Sequence, residues 1–429
     1  MAGPGHGAKD RVRNHPRAAT AARPVVVIGA SLGGLAAAVR LARVGHHVVV
    51  LDEKPEPTLE PWLSRPVVAL PAAWRDLFRK SGRILDAALA GEGYELVPAP
   101  PTRHEFTDGS TLDLPTDRGQ QYAAIGQLAG EGAAIAWRDL LDAADETWQL
   151  VRRAGLETEA DLTEFRTSRF LSDSRTIASE AERLPDERLA ALVRSVAHRL
   201  GSEPAETPYW LLSRLAVERT FGLWLVMREG VPQPAETLTG LLHRRAADRG
   251  VELRWGVAVT GITAGGFTTT AGEIEAATVV SAVGHASHSA LTGRTAKIVL
   301  PRRLGPLRLG TRRIAADPPA STIAVGPAND GPVEVVRHSA DGTRTTWALP
   351  DRTVTSTGAP SSSGLRWHGP ATVAAFHPLA GDACVYAGSG TLGGAEPWAQ
   401  LLLGALATYR VHDQLTGDDI RPSNKAYRP

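Results

Sequence analysis

The most constraining feature of the sequence is a short apolar run that leads directly into a glycine-rich turn. Residues 25–28 read VVVI, a continuous β-branched run typical of a strand buried on both faces of a parallel sheet. The turn at 29–34 is followed by an alanine-rich segment with helical spacing at 35–44 and by a second apolar run at 48–51. This β-α-β unit predicts an α/β fold.

The turn carries the pattern of a dinucleotide-binding loop. Its three key positions hold Gly29, Ser31 and Gly34. The first allows a tight bend, the second lets the backbone approach a pyrophosphate, and the third lets helix and strand pack closely. The pyrophosphate would lie at the helix N-terminus, and Asp52 stands where a carboxylate binds the ribose hydroxyls. The cofactor-binding residues predicted for this unit are Gly29, Ser31, Gly33, Gly34, Asp52 and Glu53.

The same residues also match G-x-S-x-G, the nucleophile elbow of α/β-hydrolases, with Ser31 as the nucleophile. An elbow normally follows several βα units, whereas Ser31 follows the first strand, and no His-Gly-Gly segment precedes it. The hydrolase alternative also leaves Asp52 without a role. A merely structural turn is a further alternative, and the context favours dinucleotide binding.

Length and composition exclude several classes of protein. A chain of 429 residues is long enough for two domains. Its 47 basic and 46 acidic side chains nearly cancel, so we predict no nucleic-acid partner. Cys384 is the single cysteine, which predicts a reducing, cytoplasmic compartment. His285 and His288 lack the spacing of a zinc site and are expected on a surface loop, so no metal site is predicted.

The first 23 residues differ from the rest of the chain. They contain lysine, arginine, glycine, proline and alanine but no apolar run, which predicts a disordered tail rather than a signal peptide. No window approaches the roughly 18–20 apolar residues that a transmembrane helix needs.

Further elements follow from hydrophobic periodicity and turn residues. They are a hairpin around Asp108-Gly109, helices over 137–154, from 185 and over 238–249, strands at 251–253, 257–262, 278–284 and 383–387, and a final helix over 398–409. Residues 352–364 are rich in Ser, Thr, Pro and Gly, and we expect an exposed loop there.

With these residues in view, the chain resembles the phytoene desaturase-like branch of FAD-dependent oxidoreductases, the bacterial carotenoid desaturase type. The segments that carry the resemblance are 26–52, 70–78, 106–109, 217–224, 250–284 and 387–397. They extend over most of the chain, and the first is the most specific.

The resemblance implies a two-dinucleotide-fold flavoprotein, with a Rossmann-like FAD domain and an inserted α+β substrate domain. It implies that Val259 meets the adenine side of FAD and that Gly284, Gly388, Gly393 and Gly394 belong to the other flavin motifs. The implied domains are a tail of 1–23, an FAD domain of 24–65, 231–290 and 373–429, and a substrate domain of 66–230 and 291–372.

The function implied by the resemblance is oxidation of a hydrophobic or natural-product substrate by hydride transfer to flavin. A redox-neutral flavin-dependent isomerase of the same family is one alternative. A non-catalytic partner subunit that has lost FAD is another, because residues 58–60 read TLE where the family carries a Gly-Gly-Arg type motif. The sequence identifies no catalytic residue, and it leaves open a peripheral membrane contact and a protein partner.

Overall fold

A computed structural model of the chain describes residues 23–57, 66–159, 175–200, 202–263, 266–293 and 396–422, together with shorter segments. The shorter segments are 297–299, 322–327, 332–339, 342–349, 352–357, 366–367, 374–376, 379, 384–391 and 394. Residues 1–22 of the predicted tail, residues 58–60 and Gly393 lie outside the described part of the chain.

The described residues form a mixed α/β structure. Its helices are α1 (Leu32–Arg43), α2 (Pro71–Lys80), α3 (Leu85–Ala90), α4 (Arg118–Ala129), α5 (Glu131–Gly155), α6 (Ile177–Ala181), α7 (Glu187–Arg199), α8 (Ser213–Phe221), α9 (Glu236–Asp248), α10 (His285–Thr292) and α11 (Pro397–Thr416). Its strands are β1 (Val25–Ile28), β2 (Val48–Asp52), β3 (Val67–Ala69), β4 (Glu95–Pro98), β5 (Thr102–Glu105), β6 (Thr111–Leu114), β7 (Leu223–Arg228), β8 (Val231–Gln233), β9 (Glu252–Trp255), β10 (Val259–Thr263), β11 (Gly266–Thr269), β12 (Gly272–Glu275), β13 (Thr278–Ser281), β14 (Lys297–Val299), β15 (Thr322–Gly326), β16 (Glu334–Ser339), β17 (Gly342–Ala348), β18 (Thr353–Thr357), β19 (Arg366–Trp367), β20 (Ala374–Phe376) and β21 (Val385–Tyr386).

A parallel sheet of five strands organises the part of the molecule that begins with β1. Its order is β21-β13-β1-β2-β9, and each neighbouring pair is parallel. Val26 of β1 pairs with Val49 on one side and Val279 on the other. All four residues of β1 are buried, because both faces of the sheet are covered. The predicted α/β fold with a Rossmann-like unit is confirmed.

The two faces of this sheet pack against different layers. Successive side chains of a strand point to opposite faces. Val25 and Val27 therefore pack in the core that includes α1, whereas Val26 and Ile28 pack with Phe267 of β11 in a separate cluster. α1 contacts α9 and α11, and the antiparallel strands β10, β11 and β12 cover the opposite face.

The helices of the first layer approach one another very closely. A Cβ atom at Gly404 of α11 would lie 2.7 Å from Ala36 Cβ and 2.7 Å from the Gly33 carbonyl oxygen, so only glycine allows this crossing. The predicted final helix is confirmed as α11, and it extends beyond the expected end to Thr416. In the part of the chain that the structure describes, no helix combines the length and the apolar character needed to cross a bilayer.

A second group of elements surrounds a mixed sheet of order β15-β18-β17-β16-β5-β6, in which only the β16–β5 pair is parallel. β7 pairs separately with β3, β4 and β8, and β20 with β14 and β19. The predicted hairpin is confirmed as β5 and β6, with Gly109 at φ +82° in its turn. The predicted domain boundaries stay a prediction.

Two expectations from the sequence are wrong. Of the loop expected over 352–364, residues 353–357 instead form β18, which lies between β15 and β17, and residues 358–364 lie outside the described part of the chain. Val354 is 1% exposed and packs with Trp347 and Leu349, and threonine-rich segments suit strands because threonine is β-branched. His285 and His288 lie on α10 rather than on a surface loop, and the buried ring of His288 makes a 2.9 Å contact through Nδ1 with Ser281 Oγ.

The close packing at the start of α1 can be tested by adding one methyl group. A Cβ atom at Gly33 would lie 2.2 Å from the Ala387 carbonyl oxygen, so backbone must move in the Gly33→Ala variant. We expect the free energy of unfolding, measured in urea, to fall by about 1–3 kcal/mol.

Gly132→Ala is the matched control for this variant. Gly132 is an exposed residue of α5, and a Cβ atom there would meet nothing within 4 Å. We expect a gain of about 0.5–1 kcal/mol from improved helix propensity. Equal stability changes in the two variants would contradict the packing described for α1.

Candidate functional site

The C-terminal ends of the five parallel strands open into a cleft of about 370 Å³, hereafter the sheet-edge cleft. Ligands of open α/β sheets bind outside the carboxyl ends of the strands, in cavities of roughly 300–1,000 Å³. The lining includes residues 29–32, 52–54, Thr239, His243, Trp255, Val257, Val259, 282–284, Ser287, Ser389 and Gln400. The cleft therefore extends across the edge from the β9 side to the β21 side.

The glycine turn brings the N-terminus of α1 to the middle of this edge. Gly29 has φ +95°, a conformation that glycine adopts at no steric cost. Ser31 is the N-cap residue of α1, and its Oγ accepts a 3.4 Å hydrogen bond from Gly34 N. No acidic side chain lies in the first turn of α1. The helix dipole and the unpaired N–H groups of a first turn favour an anion at this point.

A second helix N-terminus faces the same cleft. Gly284 is the N-cap residue of α10, and no side chain caps this helix. A Cβ atom at Gly284 would meet nothing within 4 Å, so the absence of a side chain leaves open space beside the helix end. The N-termini of α1 and α10 give this part of the cleft a positive potential suited to phosphate groups.

Asp52 joins the end of β2 to the glycine turn. Its Oδ2 accepts a 2.8 Å hydrogen bond from Ala30 N, and its Oδ1 accepts a 3.0 Å hydrogen bond from Lys54 N. Each carboxylate oxygen has a second acceptor site, so Asp52 can also receive a ligand hydroxyl. Glu53 follows it in the cleft lining. The carboxylate thus stabilises the glycine turn and also faces the cleft.

The β9 side of the cleft contains polar groups that sequence reasoning missed. Thr239 and His243 lie on α9, and Trp255 ends β9. Burial lowers the pKa of His243, so the imidazole is neutral at pH 7. The sequence predicts this helix, but helical periodicity alone does not show which polar residues turn toward a cleft.

The β21 side of the cleft is held together by Tyr386. Its hydroxyl donates to the Val283 carbonyl oxygen at 3.1 Å and accepts from Gly390 N at 2.9 Å. Burial raises the pKa of this hydroxyl, so it stays protonated and can donate. Ser389 and Gln400 are buried and line the cleft at this end. The groups at this end are therefore uncharged.

The predicted cofactor-binding residues fall into two groups. Those that line the cleft are Gly29, Ser31, Asp52, Glu53, Val259 and Gly284. Gly33, Gly34 and Gly388 lie behind the lining at tight backbone contacts, since a Cβ atom on each would come within 2.2 Å of a carbonyl oxygen. Gly394 is buried beyond the lining, and Gly393 lies outside the described residues.

The geometry of Ser31 does not favour the hydrolase alternative. A nucleophile elbow is a strained turn that exposes the serine hydroxyl. Ser31 instead has φ −64° and ψ 168°, an ordinary extended conformation, and its Oγ donates to the Ala282 carbonyl oxygen at 2.8 Å. Within the described ranges, no group of three His, Cys, Asp or Glu side chains is arranged to hold a metal ion.

Comparison with known proteins gives relatives for both the sequence and the fold. Residues 27–60 match the family model of the NAD(P)-binding Rossmann-like domain. The chain is 35% identical over 261 residues to hydroxyneurosporene desaturase of Cereibacter sphaeroides, which covers 56% of this chain and 50% of the relative. It is 28% identical over 331 residues to phytoene dehydrogenase of Streptomyces griseus, with 71% and 63% covered. The chain thus spans about half to two thirds of the length of these curated relatives.

Among solved structures, cyclohexylamine oxidase from Brevibacterium oxydans superposes with a TM-score of 0.55 at 14% identity, covering 92% of this chain and 99% of that one. This similarity concerns the fold alone. The sequence relatives confirm the resemblance to carotenoid desaturases, and the family model and the solved structure confirm the Rossmann-like fold.

The role of Asp52 can be tested with the Asp52→Asn variant. The amide keeps one acceptor oxygen but loses the charge, so it cannot hold both Ala30 N and Lys54 N and also receive a ribose hydroxyl. We expect the Kd for added FAD, the cofactor that the resemblance implies, to rise about tenfold or more when it is measured by calorimetry. Glu56→Gln makes the same change of charge on an exposed side chain outside the lining, and it should leave this Kd unchanged. Equal affinities of the two variants would exclude Asp52 as a ligand.

Proposed function

We propose that the chain is an FAD-dependent oxidoreductase of the desaturase or dehydrogenase type, with FAD in the sheet-edge cleft. The observation that carries this proposal is the order of groups along the edge. A carboxylate lies at the end of β2, two helix N-termini lie at β1 and β13, and uncharged polar groups lie at β21. This order matches a ribose, a pyrophosphate and a neutral ring system in one extended dinucleotide.

The residues present fit FAD in two further respects. The open space beside Gly284 gives a backbone surface that a pyrophosphate can approach, as the turn at Gly29 also does. Buried polar atoms of Thr239 and His243, which meet no partner among the described residues, are available for the adenosine end. Asp52 would hold the ribose, the two helix ends the phosphates, and Ser389 and Gln400 the flavin end.

The chemistry of the proposed reaction is an oxidation by hydride removal. FAD, when bound, supplies the acceptor for a hydride from a substrate C–H bond, while an adjacent C–H proton passes to solvent and the substrate loses two hydrogens. The protein orients the cofactor through the groups named above. Since the curated relatives include a hydroxyneurosporene desaturase and a phytoene dehydrogenase, we propose a hydrophobic substrate.

The proposed compartment is the cytoplasm. Cys384 is the single cysteine of the sequence and is buried, and one cysteine allows no internal disulfide.

The visible spectrum of the purified chain tests cofactor binding. We expect flavin bands to remain after FAD is added and unbound FAD is removed by desalting. Heat should then release FAD rather than FMN, as identified by mass. A chain that stays colourless after this treatment would contradict the proposal and favour a subunit without FAD.

Anaerobic incubation of the FAD-loaded chain with phytoene or hydroxyneurosporene in lipid vesicles tests the reaction class. We expect the flavin bands to bleach as a product two hydrogens lighter forms. An isomerised product of unchanged mass, with the oxidised bands intact, would contradict an oxidoreductase.

A further inference from the structure

Two polar side chains of α9 share one face of the helix at the β9 side of the sheet-edge cleft. Thr239 and His243 are four residues apart, a spacing that places both on the same face. Both line the cleft. Thr239 Oγ1 and His243 Nε2 are buried and, within the described part of the chain, meet no hydrogen-bond partner. α9 itself is held in place by its contact with α1.

Two such atoms in one cleft are unusual in energetic terms. A buried donor or acceptor without a partner costs roughly 1–3 kcal/mol, and most buried polar atoms are therefore paired. A ligand with polar edges would remove this cost for both atoms. The threonine hydroxyl can donate and accept, and the neutral imidazole has one donor and one acceptor nitrogen.

The sheet register identifies which part of a dinucleotide would lie here. Trp255 of β9 pairs directly with Asp52 of β2, and Val257 N donates to the Asp52 carbonyl oxygen at 2.9 Å. This is therefore the end of the cleft next to the ribose-binding carboxylate, on the adenosine side of the pyrophosphate. The rings of His243 and Trp255 meet edge to face with centroids 5.9 Å apart, so an aromatic side chain adjoins the two polar ones.

We propose that Thr239 and His243, with Trp255 as an aromatic wall, form the adenosine-binding element of this chain. This inference rests on the FAD site proposed above. Adenine presents the N6 amino group as a donor and N7 as an acceptor on one edge, which matches what the hydroxyl and the imidazole offer. Its face provides the stacking surface that an aromatic side chain binds.

Calorimetry on the full chain with ADP and FMN as separate ligands tests this element. ADP carries the adenosine half of FAD, whereas FMN lacks adenosine. Thr239→Val removes the hydroxyl at nearly constant shape, and His243→Phe keeps a ring but no nitrogen. We expect each variant to raise the Kd for ADP about tenfold, the effect of one lost hydrogen bond, and to leave the Kd for FMN unchanged.

Two further variants provide a control and a test of rescue. Thr237→Val makes the same change on α9 at a residue outside the lining, and it should keep the wild-type Kd for ADP. His243→Gln restores a polar amide and should recover part of the affinity that His243→Phe loses.

Three outcomes would overturn the adenosine assignment. They are wild-type affinity for ADP in both Thr239→Val and His243→Phe, equal loss for ADP and FMN, and equal loss in Thr237→Val. A wild-type chain that binds neither ADP nor FAD would instead overturn the proposed FAD site itself.

Discussion

The arrangement of the site depends on the close packing of the N-terminus of α1 against the ends of the parallel strands. A Cβ atom at Gly34 would lie 2.2 Å from the Gly29 carbonyl oxygen, and one at Gly33 would lie 2.2 Å from the Ala387 carbonyl oxygen. Only glycine at both positions lets the helix end reach the strand ends of β1 and β21 together. This contact brings the positive end of α1 to the centre of the edge, where a second helix end at Gly284 joins it.

The electrostatic character of the cleft follows from this arrangement. Its centre is positive because two helix N-termini lie there, and its β2 end carries the Asp52 carboxylate. Its β21 end is lined by the neutral groups of Ser389 and Gln400. A ligand that suits all three zones combines hydroxyl groups, phosphates and a neutral ring system, and this is why we favour a dinucleotide over a simple anion.

Local parts of the fold and of the site could be predicted from the sequence. The strand, turn and helix at residues 25–44 depend on neighbouring residues only, so the VVVI run and the glycine spacing suffice to predict them. The same β-α-β unit also suffices to predict that Asp52 lies at the end of its second strand. Gly34 has the packing role that the third glycine of the pattern predicts, whereas the backbone contacts of Gly33 and Gly388 could not be predicted because their partners, Ala387 and Val283, are distant in sequence. The roles of these glycines in cofactor binding stay a prediction.

Features that depend on tertiary structure could not be predicted in this way. Thr239 and His243 become cleft residues only because α9 packs against α1, and nothing near them in the sequence indicates this. The composition of 352–364 predicts a loop because Ser, Thr and Gly are typical of loops, but β18 forms there by pairing with strands from 322–326 and 342–348. His288 is buried because α10 packs it beside Ser281 and Tyr386.

We propose that one dinucleotide lies across the carboxyl ends of all five parallel strands. This placement can be tested by hydrogen–deuterium exchange of the full chain, with and without FAD. We expect FAD to slow exchange together in the glycine turn at 29–34, at 52–57, at 255–259 and at 284–288, while the sheet containing β5 and β16 keeps its exchange rates. Slowed exchange confined to the β5–β16 sheet, or no change at 29–34 with FAD bound, would contradict it.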